Sequence, residues 1–304
     1  MIPLDWIAVD WGTSHLRVWA MQGDTVQQTA QSDQGMGVLA RDAFEGALLA
    51  LVEDWLPAGR ITPVLACGMV GSRQGWVEAR YRAVPCTALA DGLTRAPTRD
   101  LRLSVHVVPG ICQAQPADVI RGEETQVAGF LALNHGWDGV LCLPGTHSKW
   151  VHVSAGEVVS FQTFLTGEMF ALLSSQSVLR HSMAGWDAAG FADGVQQGFD
   201  RPDRMMARFF ALRAEGLLHG LDPGTARARL SGLLIGAELA AAKPYWLGQR
   251  VALLGAQALS DLYAQALSGL SVPVTQLDAT EMTLAGLSAA RALLPESEDR
   301  GCVN

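Results

Sequence analysis

The sequence predicts an α/β protein built twice over, as two halves that each hold a mixed sheet with helices on its faces. Three observations predict it. Each half opens with three short strand patterns joined by tight turns. Each then alternates strand and helix patterns. Each places Gly-Thr where its first strand ends, as Gly12-Thr13 and as Gly145-Thr146. A meander followed by βα units needs both antiparallel and parallel neighbours in one sheet. The same dipeptide in the same slot of a repeated pattern points to internal duplication.

The elements follow in order. Trp6-Ile7-Ala8-Val9 is apolar and ends at Asp10 and Gly12, as a buried strand does. Leu16, Val18 and Ala20 alternate with Arg17, Trp19 and Met21, and Val26 to Ala30 adds a third strand after the turn at Gly23-Asp24. Phe44, Leu48, Leu51, Val52 and Trp55 recur at helical spacing until Pro57 and Gly59 stop them. Strands are expected at Pro63 to Cys67 and Val105 to Val108, and a helix at Glu124 to Leu133. The pattern restarts at Gly139. Strands are expected at Val140 to Leu143, Trp150 to Val153 and Val158 to Phe161. Helices follow at Phe170 to Leu179, Arg204 to Leu218 and Ala226 to Ala241. The strand Val251 to Leu254, the helix Gln257 to Leu267, the strand Val272 to Val274 and a helix from Glu281 to Leu293 complete the half. The tail from Pro295 to Asn304 reads as frayed. No Pro- or Ser-rich linker separates the halves, so the boundary is a structural crossover near residue 135.

Composition narrows the function. Of 304 residues, 49% are hydrophobic and only 17% charged, so a large core is expected and disorder is not. A net charge of -8 argues against nucleic acid as a partner, because phosphate backbones require a basic surface. It leaves room for a small anionic substrate in a local basic pocket. The five cysteines are scattered and form no CxxC pair, which reads as reduced thiols in a cytoplasmic protein. The N-terminus lacks a basic segment ahead of an apolar core, and no run of eighteen apolar residues occurs. Neither a signal peptide nor membrane association is expected.

The two Gly-Thr turns are candidate phosphate sites. A phosphate needs several backbone N–H groups converging on one point; Gly permits their close approach and a Ser or Thr hydroxyl adds a donor. Asp10-Trp11-Gly12-Thr13-Ser14 meets that need, and Asp10 stands where a carboxylate holds Mg²⁺ through water. Pro144-Gly145-Thr146-His147-Ser148-Lys149 offers the same nest with a cation. Neither a GxxxxGK[ST] loop nor a GxGxxG after the first strand is present, which disfavours the Walker and Rossmann sites.

Between the turns, Arg121-Gly122-Glu123-Glu124-Thr125-Gln126 begins a helix. Phosphoryl transfer to an alcohol needs a carboxylate to orient the hydroxyl and take its proton. Glu123 or Glu124 suits that role, although the helix dipole alone favours acidic residues in a first turn. The loop Gly68 to Trp76 carries three glycines, Arg73, Gln74 and Trp76. An arginine there pairs bidentately with a carboxylate and so suits an acidic sugar.

These segments together resemble the 2-dehydro-3-deoxygalactonokinase family. The matching stretches are Ile7 to Thr13, Gln34 to Leu39, Ala66 to Trp76, Arg121 to Gln126, Leu143 to Trp150 and Thr163 to Glu168. They occur in order over about residues 5 to 295. The resemblance implies a duplicated actin-like ATPase (ribonuclease H-like) fold. Each domain, 1–135 and 136–304, would hold a mixed five-stranded sheet, with ATP and Mg²⁺ in the cleft between them. The implied reaction moves the γ-phosphate of ATP to the 6-hydroxyl of 2-dehydro-3-deoxy-D-galactonate, in galactonate breakdown. By position, Gly12, Thr13 and Ser14 form the first phosphate turn, and Gly145, Thr146 and Lys149 the second. Gly255-Ala256-Gln257 resembles the turn that cradles adenosine. Glu123, with Glu124 as alternate, stands where related kinases more often carry an Asp base. Arg73, Gln74, Trp76 and His147 are the candidates for sugar-acid recognition, and Asp10 for the metal. His15 and Ser14 replace the Asn and Thr expected in the first turn, which keeps the nest but changes what it offers a substrate.

Two other readings share the fold. One is a phosphohydrolase resembling exopolyphosphatases, which should carry a Gly-richer second turn and a basic channel. The other is a non-catalytic sugar-responsive regulator, which usually adds a DNA-binding or Cys-rich segment before the first strand. A further carbohydrate kinase of the same class, and a homodimer, both stay open.

Overall fold

The computed structural model describes residues 2–295. The segment read as frayed lies outside the described residues beyond Pro295. The chain forms two compact units. The first comprises Met1–Trp137, Ser154–Ser160 and Ala279–Asn304, and the second Asp138–Val153 and Phe161–Asp278.

The first unit opens with the meander β1 (Trp6–Trp11), β2 (Leu16–Gln22) and β3 (Thr25–Ser32). Helix α1 (Phe44–Val52) leads to β4 (Thr62–Gly68), which lies parallel to β1 with Val9 beside Ala66. Short strands β5 (Arg82–Ala83), β6 (Cys86–Thr87) and β7 (Thr94–Arg95) precede β8 (Leu103–Val107), which runs parallel to β4. Then β9 (Ile111–Gln113) and β10 (Asp118–Ile120) form a small sheet with β5, and α2 (Glu123–Leu133) follows. The main sheet has the order β3-β2-β1-β4-β8-β7. The two-residue period of β1 and β4 fills two cores at once. Ile7, Val9, Trp11, Val64 and Ala66 pack with Phe44 and Leu48 of α1. Trp6, Ala8, Leu65 and Cys67 pack on the opposite face with Leu287 and Ala290.

The second unit repeats the plan. Its meander is β11 (Gly139–Leu143), β12 (Ser148–Ser154) and β13 (Glu157–Phe164), of which the β12–β13 turn and the first half of β13 group with the first unit. Helices α3 (Thr166–Ser175), α4 (Ala188–Asp200), α5 (Met205–His219), α6 (Pro223–Ala241) and α7 (Lys243–Trp246) come next. Strand β14 (Val251–Gly255), helix α8 (Gln257–Gly269) and strand β15 (Val274–Asp278) close it. The second sheet runs β15-β14-β11-β12-β13-β6, and its first five strands follow the order β8-β4-β1-β2-β3 of the first, with β14 and β15 parallel to β11 and each other. An added short edge strand gives each main sheet six strands where five were expected. Helix α9 (Ala279–Arg291) ends the described chain and packs on α2 in the first unit.

The short strands β5, β6, β7, β9 and β10 and helix α7 were not expected, and two further differences have clear local reasons. Helix α4 is Gly-rich, which weakens its intrinsic helical signal. Those glycines instead let α4 lie close against α6, and Asp187 caps its start by accepting from the Ala189 N–H at 3.1 Å. The last strand runs over Val274–Asp278 rather than Val272 to Val274, because Pro273 has no N–H to give the ladder. Among the described residues, no helix is long and apolar enough to cross a membrane.

Candidate active site

In the first unit, β1 ends at Trp11 and the chain turns through Gly12, Thr13 and Ser14, with Thr13 and Ser14 exposed. The Gly12 N–H donates to the His15 carbonyl at 2.9 Å and closes the turn. A second segment backs it. The N–H groups of Met36 and Gly37 donate to the carbonyls of Gly12 and Thr13, at 3.0 and 2.8 Å. A methyl on Gly35 would sit 2.3 Å from the Thr13 carbonyl oxygen, so only Gly fits there. The Trp11 indole donates to Gln34 at 2.9 Å and ties the same segment down from below. The stretch Gln34 to Leu39 therefore shapes the turn.

Three carboxylates gather behind it. Asp10, at the end of β1, pairs with Arg17 of β2. Burial pushes its carboxyl above the usual range, Arg17 opposes that, and Glu123 adds to it. Helix α2 begins where Gly122 packs on Gly68, the last residue of β4. Its first two residues have opposite fates. Glu123 is half-buried, and its carboxylate accepts the Arg121 backbone N–H at 3.1 Å. Glu124 is 0% exposed and accepts the Gly122 N–H at 2.7 Å. Burial first, and the Glu123 charge second, push Glu124 up to about 8.

The loop after β4 divides in the same way. Arg73 and Gln74 are exposed, and the Arg73 carbonyl accepts from the Arg41 guanidinium. Trp76 is only 5% exposed; it stacks on Phe44, meets Trp11 edge-on, and donates to the Pro97 carbonyl at 3.1 Å. That corrects the expectation that Trp76 meets the sugar acid: its ring is spent on anchoring the loop. Arg121 anchors the loop's far end, donating to the Ala79 carbonyl at 2.7 Å and lying 4.3 Å from the Tyr81 ring centre.

In the second unit, the turn between β11 and β12 exposes Thr146 and His147. The start of α3 is pressed against it. The Glu168 N–H donates to the Thr146 carbonyl at 2.9 Å, and the Glu168 carboxylate meets the His147 ring at 2.5 Å. Lys149 is only 7% exposed and donates to the His147 carbonyl at 2.7 Å, so it braces the turn from the strand that leaves it. Gly255 ends β14 beside Pro144, while Ala256 and Gln257 are exposed at the start of α8. Next to Gly145 lies a cavity of about 150 Å³, walled by Leu234, Ile235, Leu259 and Leu262. Phe170 stands at its side with the Arg227 guanidinium 5.1 Å from its ring centre. Nothing in the local sequence announced this cavity, because its walls come from α3, α6 and α8.

The strand order of both units and these two turns describe the duplicated actin-like ATPase fold. Residues 10–290 match the family model described as 2-keto-3-deoxy-galactonokinase. The chain belongs to this family. A Rhizobium meliloti (strain 1021) protein named "Probable 2-dehydro-3-deoxygalactonokinase" is 39% identical over 302 residues, covering 95% of this chain and 97% of that one. The Escherichia coli (strain K12) 2-dehydro-3-deoxygalactonokinase is 32% identical, covering 93% and 96%. A crystal structure from Sinorhizobium meliloti with the same enzyme description superposes with a TM-score of 0.86 at 38% identity, over 95% and 97% of the two chains. Component A of the Acidaminococcus fermentans (R)-2-hydroxyglutaryl-CoA dehydratase, at 12% identity and a TM-score of 0.52, shares the fold alone. Like its family, the chain is a kinase.

Proposed function

We propose that this kinase transfers the γ-phosphate of ATP to the 6-hydroxyl of 2-dehydro-3-deoxy-D-galactonate, in the cytoplasm, as a step of galactonate breakdown. Family membership supplies the reaction class. The observation that carries the site is the division of labour at the start of α2, where Glu124 is sealed in the core and Glu123 is not.

Glu123 is the general base. It accepts the proton of the sugar hydroxyl as that oxygen attacks phosphorus and ADP departs. Its carboxylate is already oriented by a backbone N–H, which costs nothing further at the moment of reaction. Glu124 has no surface with which to meet a substrate, so its part is to hold the helix start.

The phosphate-binding residues are Gly12, Thr13 and Ser14 in the first unit's turn and Gly145 and Thr146 in the second unit's turn, with Lys149 bracing the latter. The cavity beside Gly145 suits the flat, largely apolar face of a nucleobase, with Gly255, Ala256 and Gln257 near the ribose. Asp10, with one carboxylate oxygen taken by Arg17 and the other left to accept, would hold Mg²⁺; one carboxylate with waters is ordinary for this ion. The ion would supply neutralisation of phosphate charge. Arg73, with Gln74, meets the sugar carboxylate, and His147, exposed and paired with Glu168, is the further candidate for sugar-acid recognition.

An ADP-release assay across 2-keto-3-deoxy sugar acids and neutral sugars tests the reading. Turnover is expected with the galactonate derivative. Its refusal, with a neutral sugar accepted, would overturn the substrate.

A further inference from the structure

One buried carboxylate in the second unit has no place in the reaction just described. Glu238 lies in α6, is 3% exposed, and accepts four hydrogen bonds. Ser148 donates to Oε2 at 2.7 Å, Tyr263 to Oε2 at 2.7 Å and the Trp150 indole to Oε1 at 2.8 Å. The Thr166 side chain is the fourth partner. All four are neutral groups, so the carboxylate is held in the core by geometry and not by a counter-ion.

The positions of these donors are what matter. Ser148 and Trp150 stand on β12, directly after the Gly145-Thr146 turn. Thr166 opens α3, where a methyl on Gly167 would lie 2.3 Å from the Gly145 carbonyl oxygen. Tyr263 is on α8 and lines the cavity beside that turn. Helix α6 itself supplies Arg227, Ser231, Leu234 and Ile235 to the same cavity. A single side chain thus bonds the turn's outgoing strand, the start of α3 and the wall of α8 to the fourth wall.

We propose that Glu238 is a positioning residue for the nucleotide, fixing the second phosphate turn against the nucleobase cavity before ATP arrives. It touches no substrate. Its effect is preorganisation: the backbone donors of the turn and the cavity walls stand at one spacing in the free protein. This proposal rests on the kinase reading above.

The test separates nucleotide from sugar acid. Glu238→Leu removes the shared acceptor and is expected to raise the KM for ATP at least tenfold, with the KM for the sugar acid within twofold. Glu238→Gln should sit between, because its amide oxygen still serves Trp150 and the two hydroxyls can reverse their roles. A structural role alone would lower the fraction of active enzyme and leave both KM values together. Equal changes in the two KM values, or none, would overturn the proposal. Should Glu238→Leu not fold, Tyr263→Phe and Ser148→Ala each remove one donor, and each is expected to raise the ATP KM selectively by severalfold. Direct titration of the wild-type protein with ADP and Mg²⁺ guards the premise. No binding there defeats the kinase reading itself, whereas wild-type binding matched by every variant defeats only the role of Glu238.

Discussion

At the residue scale, Glu123 and Glu124 are covalent neighbours with opposite environments, and each yields a test. Glu123→Gln should lower kcat by about 10²–10⁴-fold, the usual worth of general base catalysis, while leaving the KM for ATP near its original value. Unchanged turnover in steady-state kinetics would remove Glu123 from the mechanism. Glu124 bears on stability. Burial raises it from 4.5 to about 8, so the folded protein keeps a proton that the unfolded chain has released in that window. Unfolding then gives up a proton, and stability falls as pH rises from about 4.5 to about 8, by on the order of a few kcal/mol in total. Melting temperatures of Glu124→Gln should decline less over that range than those of the wild type. An identical decline would place the proton elsewhere. For Arg73, the expected result of Arg73→Ala is a tenfold or larger rise in KM for the sugar acid with little change for ATP, and parallel rises would contradict its role. The sequence offered Glu123 and Glu124 as alternative candidates for the base. It had no means to separate them, because a helix start exposes one residue and buries the next according to what packs against it.

At the element scale, the start of α2 depends on a close crossing with α9. A methyl on Gly286 would stand 1.9 Å from the Thr125 carbonyl oxygen, and one on Gly129 the same distance from that of Met282. Both contacts are with backbone, which has little room to yield. Gly286→Ala is therefore expected to destabilise by about 1–3 kcal/mol or more, read as a lower denaturant midpoint. Since Thr125 adjoins Glu124, the loss should also reach kcat; a neutral substitution would mean the helices part at little cost. The strands of both meanders were legible because alternation and a turn residue are local signals. Helix α4 was not, because its glycines lower helical propensity and gain their value only from α6. Trp76 was misread for a related reason. A Trp beside Arg and Gly in a loop looks like a binding group, yet its ring packs against Trp11 and Phe44.

At the scale of the whole molecule, the chain does not divide at one point. Helix α9 follows the last strand of the second unit but covers the sheet face of the first, through Leu287 and Ala290 against Trp6 and Leu65. A chain ending at Asp278 should therefore lose amide protection in β1, β2 and β4 before β11 and β14, as hydrogen exchange would show. Earlier loss in β11 and β14 would contradict that assignment of α9. By itself the sequence determined the fold class, the internal repeat, the two Gly-Thr turns and the family resemblance. All of these rest on periodicity and short motifs, which are written within a few residues of one another. Only the tertiary structure decided which glutamate is sealed, where Trp76 goes, which walls make the cavity, and that Glu238 gathers them. Ser148 and Glu238 are 90 residues apart, and no local pattern records their bond. Burial and long-range pairing arise from packing, and packing exists only once the chain has folded.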